Sequence, residues 1–186
     1  MSHRMYQLLL ENVHIPIVIA TGPAGTGKTM MACKTIPHGK RVIMTRPAVS
    51  VDEQHGFLPG NINKKMEPWV KPMTEFMNYK TGHVEVCPLA YMRGRTFDDS
   101  WIIADEMQNS TPSQMKMVMT RLGKDSKLVI TGDIGQHDRG FENNGLEDLL
   151  RRLQQYPIMG IGHIQFTEKD VKRHPIIRDV LKLYDN

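Results

Sequence analysis

Cysteine is nearly missing from this 186-residue chain: Cys33 and Cys87 are the only two, far apart and in no Cys-x-x-Cys spacing. That pattern fits neither a zinc site nor a disulfide framework, and a reducing cytoplasm is its natural setting. Aromatic residues are few as well, at 6%, and no aromatic-rich motif of the kind that stacks bases is present. No stretch reaches the roughly 18 apolar residues of a membrane span. The opening Met1-Ser2-His3-Arg4 resembles a signal n-region only superficially, because Glu11 and His14 interrupt the apolar run behind it. A membrane partner is therefore not expected. Repeats and low-complexity segments are absent too. What remains is ordinary for a globular protein, 40% hydrophobic and 24% charged, and long enough for a single domain over residues 1–186 with a real core. The net charge of +4 and pI ≈ 9.1 suit a polyanionic partner. A bound nucleotide would use part of that excess.

One stretch organises the chain. Gly22-Pro23-Ala24-Gly25-Thr26-Gly27-Lys28-Thr29 is a full P-loop pattern. Ile15 to Ala20 before it is apolar and β-branched enough for a buried parallel strand. Met30 to Lys34 after it can form a helix. Strand, glycine loop and helix in that order let backbone N–H groups turn inward around a phosphate. In such a loop Lys28 reaches the β- and γ-phosphates of ATP and the Thr29 hydroxyl ligates Mg²⁺.

The remaining chain alternates strands and helices. The first dozen residues read as a short helix, and Arg41 to Thr45 as a strand ending at Arg46-Pro47. From Pro47 to about Lys80, prolines and glycines break any long element, although Met66, Trp69, Val70, Met73 and Phe76 can line a short helical face. Val84 to Cys87 predicts another strand, followed by a basic loop with Gly94 between Arg93 and Arg95. Thr111-Pro112-Ser113-Gln114 starts a helix with a capping box and proline at the first position, running to Gly123 with its methionines in the core. Lys127 to Thr131 reads as a buried strand, Leu146 to Leu153 as an amphipathic helix and Ile161 to Phe166 as a last strand. Thr167-Glu168-Lys169-Asp170 opens the C-terminal helix. This alternation predicts an α/β fold in three layers, a P-loop NTPase with a central, mostly parallel sheet. Its ligand belongs beyond the carboxyl ends of the strands.

Three strands deliver polar residues to those ends. Trp101 to Ala104 runs into Asp105-Glu106: Asp105 suits a Walker B role beside Mg²⁺, and Glu106 can deprotonate a water attacking the γ-phosphate. Gly132-Asp133-Ile134-Gly135-Gln136 follows another strand, and the Gln136 amide can sense the γ-phosphate and hold that water.

Taken together, the P-loop, Thr45-Arg46-Pro47-Ala48-Val49, Gly56-Phe57-Leu58-Pro59-Gly60, Pro88 to Thr96, Asp105-Glu106-Met107-Gln108-Asn109, Thr120-Arg121-Leu122-Gly123, Thr131 to Gln136 and Asp170-Val171-Lys172-Arg173-His174-Pro175 make the chain resemble the PhoH family of P-loop ATPases. It departs from the family's pattern around Ser50 to His55. The resemblance implies a RecA-like core related to the first motor domain of superfamily-one helicases, in a family found in bacteria and phages, so that the cytoplasm would be the host's for a phage-encoded chain. It also implies ATP and Mg²⁺ as cofactors, single-stranded RNA as a partner and a homo-oligomeric ring. Gln7 is similar to the upstream glutamine that reads the adenine edge in related helicases. Asp133 and Gln136 are similar to helicase motif III. Arg121 and Arg173 become candidates for an arginine finger, which a single RecA-like core must receive from a neighbouring subunit. Two rival readings share the loop: a small-molecule kinase, which a water-activating Glu106 would work against, and a nucleotide-gated binding module with little turnover.

Overall fold

The apolar runs pair into one sheet. In the computed structural model, which describes residues 1–47, 69–77, 82–135 and 143–184, the strands are β1 (Ile17–Thr21), β2 (Arg41–Thr45), β3 (Val84–Val86), β4 (Ser100–Ala104), β5 (Lys127–Gly132) and β6 (Ile161–Gln165). They lie in the order β3-β2-β4-β5-β1-β6, and every pairing is parallel. β4 and β5 are buried along their whole length, as expected of strands covered on both faces. The helices are α1 (Ser2–Glu11), α2 (Lys28–Lys34), α3 (Leu89–Met92), α4 (Pro112–Met119), α5 (Gly145–Gln155) and α6 (Pro175–Lys182).

Strand side chains alternate between two cores because successive residues point to opposite faces. Val18, Ala20, Met44 and Ile103 meet Tyr6 and Leu10 of α1, Ala32 and Cys33 of α2, and Met73 and Met77. Ile19, Ile43, Ile102 and Ile130 meet Met92 of α3, Met115 and Val118 of α4, and Leu146 and Leu149 of α5. The three layers follow. Residues 69–74 are helical, and Trp69 and Val70 pack on the first core with Met73, while Phe76 beyond the helix is exposed; residues 48–68 and 78–81, including Met66 and the Ser50–His55 departure, lie outside the described residues. Both cysteines are buried and free.

Local signals explain most boundaries. Thr111 Oγ1 accepts from the Gln114 backbone N–H at 3.1 Å, and Gln114 Oε1 accepts from the Thr111 N–H at 3.0 Å, so α4 begins at its capping box. It ends at Met119, short of Gly123, where Thr120 and Arg121 turn back onto the last carbonyls. The C-terminal region departs further. Thr167 and Asp170 do form a capping box, but it closes only the 3₁₀ turn Glu168–Asp170. The chain then extends, and the Lys172 N–H donates to the Gly25 carbonyl at 3.0 Å. Pro175, which holds the residue before it out of the helical region, restarts the chain as α6.

At the amino ends of the strands, the buried Lys127 spends all three ammonium donors on carbonyls that end α1: Leu9 at 2.7 Å, Leu10 at 2.6 Å and Asn12 at 2.9 Å. Burial pushes this ammonium down to about 8, while the three carbonyls hold its proton. Lys127→Met keeps the apolar stem and strands those acceptors, so stability read from urea unfolding should fall by about 3 kcal/mol, as a lower midpoint at constant slope. An unchanged midpoint would show that water serves the carbonyls equally well.

Candidate nucleotide-binding site

The register sets the site. Thr45 pairs with Ala104 and Ala104 with Ile130, while Thr21 lies between Gly132 and Gln165. The residues that follow, Gly22, Arg46, Asp105 and Asp133, therefore emerge along one edge.

Gly22 to Gly27 curls from β1 into α2. Gly22 has φ +135°, and a Cβ there would sit 2.4 Å from the Phe166 carbonyl oxygen; the end of β6 and the loop approach too closely for a side chain. Gly25 and Gly27 take φ of +80° and +82°, open to glycine at little cost. The buried Thr26 closes the turn through Oγ1 to the Pro23 carbonyl at 3.0 Å. Lys28 folds back across its own loop, donating to the Gly22 carbonyl at 2.6 Å, the Pro23 carbonyl at 2.8 Å and Thr26 Oγ1 at 3.3 Å. Burial lowers its pKa, and the charges of Asp133, Glu106 and Asp105 oppose that shift. A cleft of about 260 Å³ is lined by Ala24, Gly25, Gly27, Lys28 and Thr29 from one side and by Asp105, Glu106, Thr131 and Asp133 from the other.

Asp105 is the hub. Its Oδ1 accepts from Thr29 Oγ1 at 2.7 Å and from Thr131 Oγ1 at 2.6 Å; its Oδ2 accepts from Arg46 Nη2 at 2.9 Å and from Trp69 Nε1 at 3.1 Å. Glu106 follows in a left-handed backbone conformation, φ 55° and ψ 39°, which costs a residue other than glycine on the order of 1 kcal/mol. That bend turns its carboxylate to receive Gln108 Nε2. Gln108 Oε1 accepts from the Asp133 N–H at 3.1 Å, so one buried amide ties the end of β4 to the end of β5. A hydroxyl and a carboxylate oxygen side by side are the hard donors that Mg²⁺ prefers, with the rest of its shell coming from phosphate and water. Thr29 and Asp105 fit that ion.

Other sequence-based expectations fare differently. Gln7 is not brought to the loop: it is exposed and donates to Glu11 Oε1 at 2.9 Å, beside a separate cavity of about 830 Å³ at the amino ends of the strands. Its neighbours on α1 meet the loop instead. His3 Nε2 lies 2.9 Å from the Thr26 carbonyl oxygen, and the Tyr6 hydroxyl donates to the Lys28 carbonyl at 3.0 Å. Gln136 lies outside the described residues. Arg173, expected to reach a neighbour's nucleotide, lies on its own P-loop: its Nε is 2.6 Å from where a Gly25 Cβ would stand. Arg121 is remote from the cleft, capping α4 through the Met117 carbonyl at 3.1 Å. Of the basic loop, Arg95 is committed to Glu85 at 2.6 Å and stacks on Phe97, while Arg93 is exposed. Arg46, Trp69, Thr131 and Gln108 carry no site role in the sequence reading. The signal for Thr131 was its place at the end of a buried strand, matching that of Asp105.

The family model for PhoH-like proteins matches residues 2–185. A PhoH-like protein of Bacillus subtilis (strain 168) is 42% identical over 188 residues, covering 91% of this chain and 58% of the relative. Protein PhoH of Escherichia coli (strain K12) is 39% identical over 189 residues, covering 90% and 52%. The chain thus spans about half the length of these relatives. Among solved structures, the large terminase from a thermophilic bacteriophage superposes with a TM-score of 0.56 at 13% identity, over 95% of this chain and 49% of that one; it shares the fold. With a family match over nearly every residue and an all-parallel P-loop core, this chain belongs to the PhoH-like family.

Proposed function

We propose that the chain binds ATP with Mg²⁺ and hydrolyses it, in a cycle coupled to single-stranded RNA. One observation carries this reading: the Thr29–Asp105 hydrogen bond of 2.7 Å closes the P-loop onto a strand end whose next residue is a bent, pre-positioned glutamate. Lys28 leaves the loop carbonyls for the β- and γ-phosphates when those anions arrive. Thr29 and Asp105 hold the metal, which neutralises charge on the phosphate oxygens. Glu106, oriented by Gln108, takes the proton of the attacking water. A kinase must keep water from the γ-phosphate, and a water-activating Glu106 lining the cleft works against the kinase reading. A nucleotide-gated switch differs only in rate.

The RNA part of the reading rests on the mild basic excess and on the exposed Arg93, next to Gly94 at φ +79°. With few aromatics to read bases, affinity should fall steeply with salt and vary little with sequence. Arg93→Ala should weaken it, whereas Arg95→Ala acts first on the Glu85 pair. A ring would place Arg121 of one subunit against the next subunit's cleft. The deciding measurement is phosphate release from Mg-ATP with and without single-stranded RNA at two salt concentrations. Turnover that RNA raises supports the whole reading; turnover indifferent to RNA removes the coupling, and none under any condition leaves the switch.

A further inference from the structure

Arg46 is the one cationic side chain bonded to Asp105 among the described residues. It stands at the end of β2, directly beside β4, where the Asp105 N–H donates to the Thr45 carbonyl at 3.0 Å. The guanidinium lies over the Trp69 ring, 4.7 Å from its centroid. Its side chain is one-third exposed. Among the described residues, two buried polar atoms here have no hydrogen-bond partner: Arg46 Nε and the neighbouring Thr45 Oγ1. Such atoms are commonly met by an ordered water, an ion or a ligand.

We propose that Arg46 is a γ-phosphate contact supplied within the same subunit, resting on Asp105 until a metal–triphosphate arrives. This deepens the ATP reading and depends on it. In the structure the Asp105 carboxylate carries four donors, of which only Arg46 brings charge. Once a divalent cation shares that carboxylate, the guanidinium faces a repelling neighbour and loses its counter-charge. The closest new anion is then the terminal phosphoryl group, which lies toward the strand ends because the P-loop wraps the inner phosphates. A planar fork of N–H donors matches two phosphoryl oxygens, and the unpartnered Nε supplies the second tine. Trp69 keeps the guanidinium over its face through that short movement. A diphosphate offers nothing at this position, so Arg46 distinguishes ATP from ADP. The cation that a finger in trans was expected to bring is thereby already present.

The test compares calorimetric affinities of wild type, Arg46→Gln and Arg46→Lys for Mg-ADP and for a non-hydrolysable Mg-ATP analogue. Arg46→Gln should weaken the triphosphate about tenfold or more, the loss of a charge-assisted contact, and leave Mg-ADP within about twofold. Arg46→Lys, which keeps the charge without the fork, should fall between. In a Trp101→Phe background Trp69 is the sole indole, and its emission should shift with the triphosphate analogue but not with Mg-ADP. Equal weakening of both nucleotides would show that Arg46 merely supports Asp105 and overturn the proposal. Tighter binding of both would make it a plug, with the same consequence. Wild type that binds neither nucleotide would bring down the ATP reading itself.

Discussion

Glu106→Gln is expected to bind ATP as tightly as wild type and to hydrolyse it about a hundredfold more slowly or worse, the usual scale for losing a general base. Glutamine has the same length and keeps a carbonyl oxygen to accept from Gln108 Nε2, so the link through Gln108 to the Asp133 N–H survives. The left-handed backbone at φ 55° is set by the chain around it and stays. Only proton acceptance is removed. Equilibrium titration with a fluorescent ATP analogue, beside single-turnover phosphate release, separates binding from chemistry. Wild-type turnover by Glu106→Gln would move the base elsewhere, while loss of binding would mean that the carboxylate supports the loop.

Lys28→Ala should act on the other half of the cycle. In the structure this ammonium is held by two loop carbonyls and the Thr26 hydroxyl, contacts that compensate a buried charge and leave it close to its task. Moving onto phosphate exchanges them for charge-assisted bonds worth about 3 kcal/mol, so the alanine variant should bind Mg-ATP about a hundredfold more weakly. Thermal unfolding gives an independent view: wild type at about 100 times its dissociation constant gains about 2.7 kcal/mol from ligand, and the variant should gain almost none at the same concentration. Equal affinities would remove the phosphate-binding role from Lys28.

The fold was legible because its central strands, β4 and β5 above all, are buried on both faces and so read as short unbroken apolar runs. β2 falls on Arg41–Thr45 as expected, and α4 begins at its capping box because that signal is local and chemical. The P-loop and Asp105-Glu106 were legible for a similar reason, each being a contiguous pattern. What the sequence hid is what the topology makes. Arg46 and Asp105 are 59 residues apart, and Trp69 and Asp105 are 36 apart; only the placement of β2 beside β4 brings the first pair together. Gln7 illustrates helical phase. Tyr6 and Leu10 define the buried stripe of α1, and Gln7, one residue round from Tyr6, turns away from the loop that His3 and Tyr6 touch. The expected C-terminal helix from Thr167 was displaced by a tertiary bond, Lys172 to Gly25, that no local pattern encodes.

That bond gives the chain a mechanical property. Gly25 belongs to the P-loop, and its carbonyl is tethered to the backbone three residues before Pro175 starts α6. The helix that follows exposes Ile176 and Val180, apolar side chains on its outer face. A peptide hydrogen bond thus ties the loop at one edge of the sheet to the segment that leads into a helix with a greasy outer face.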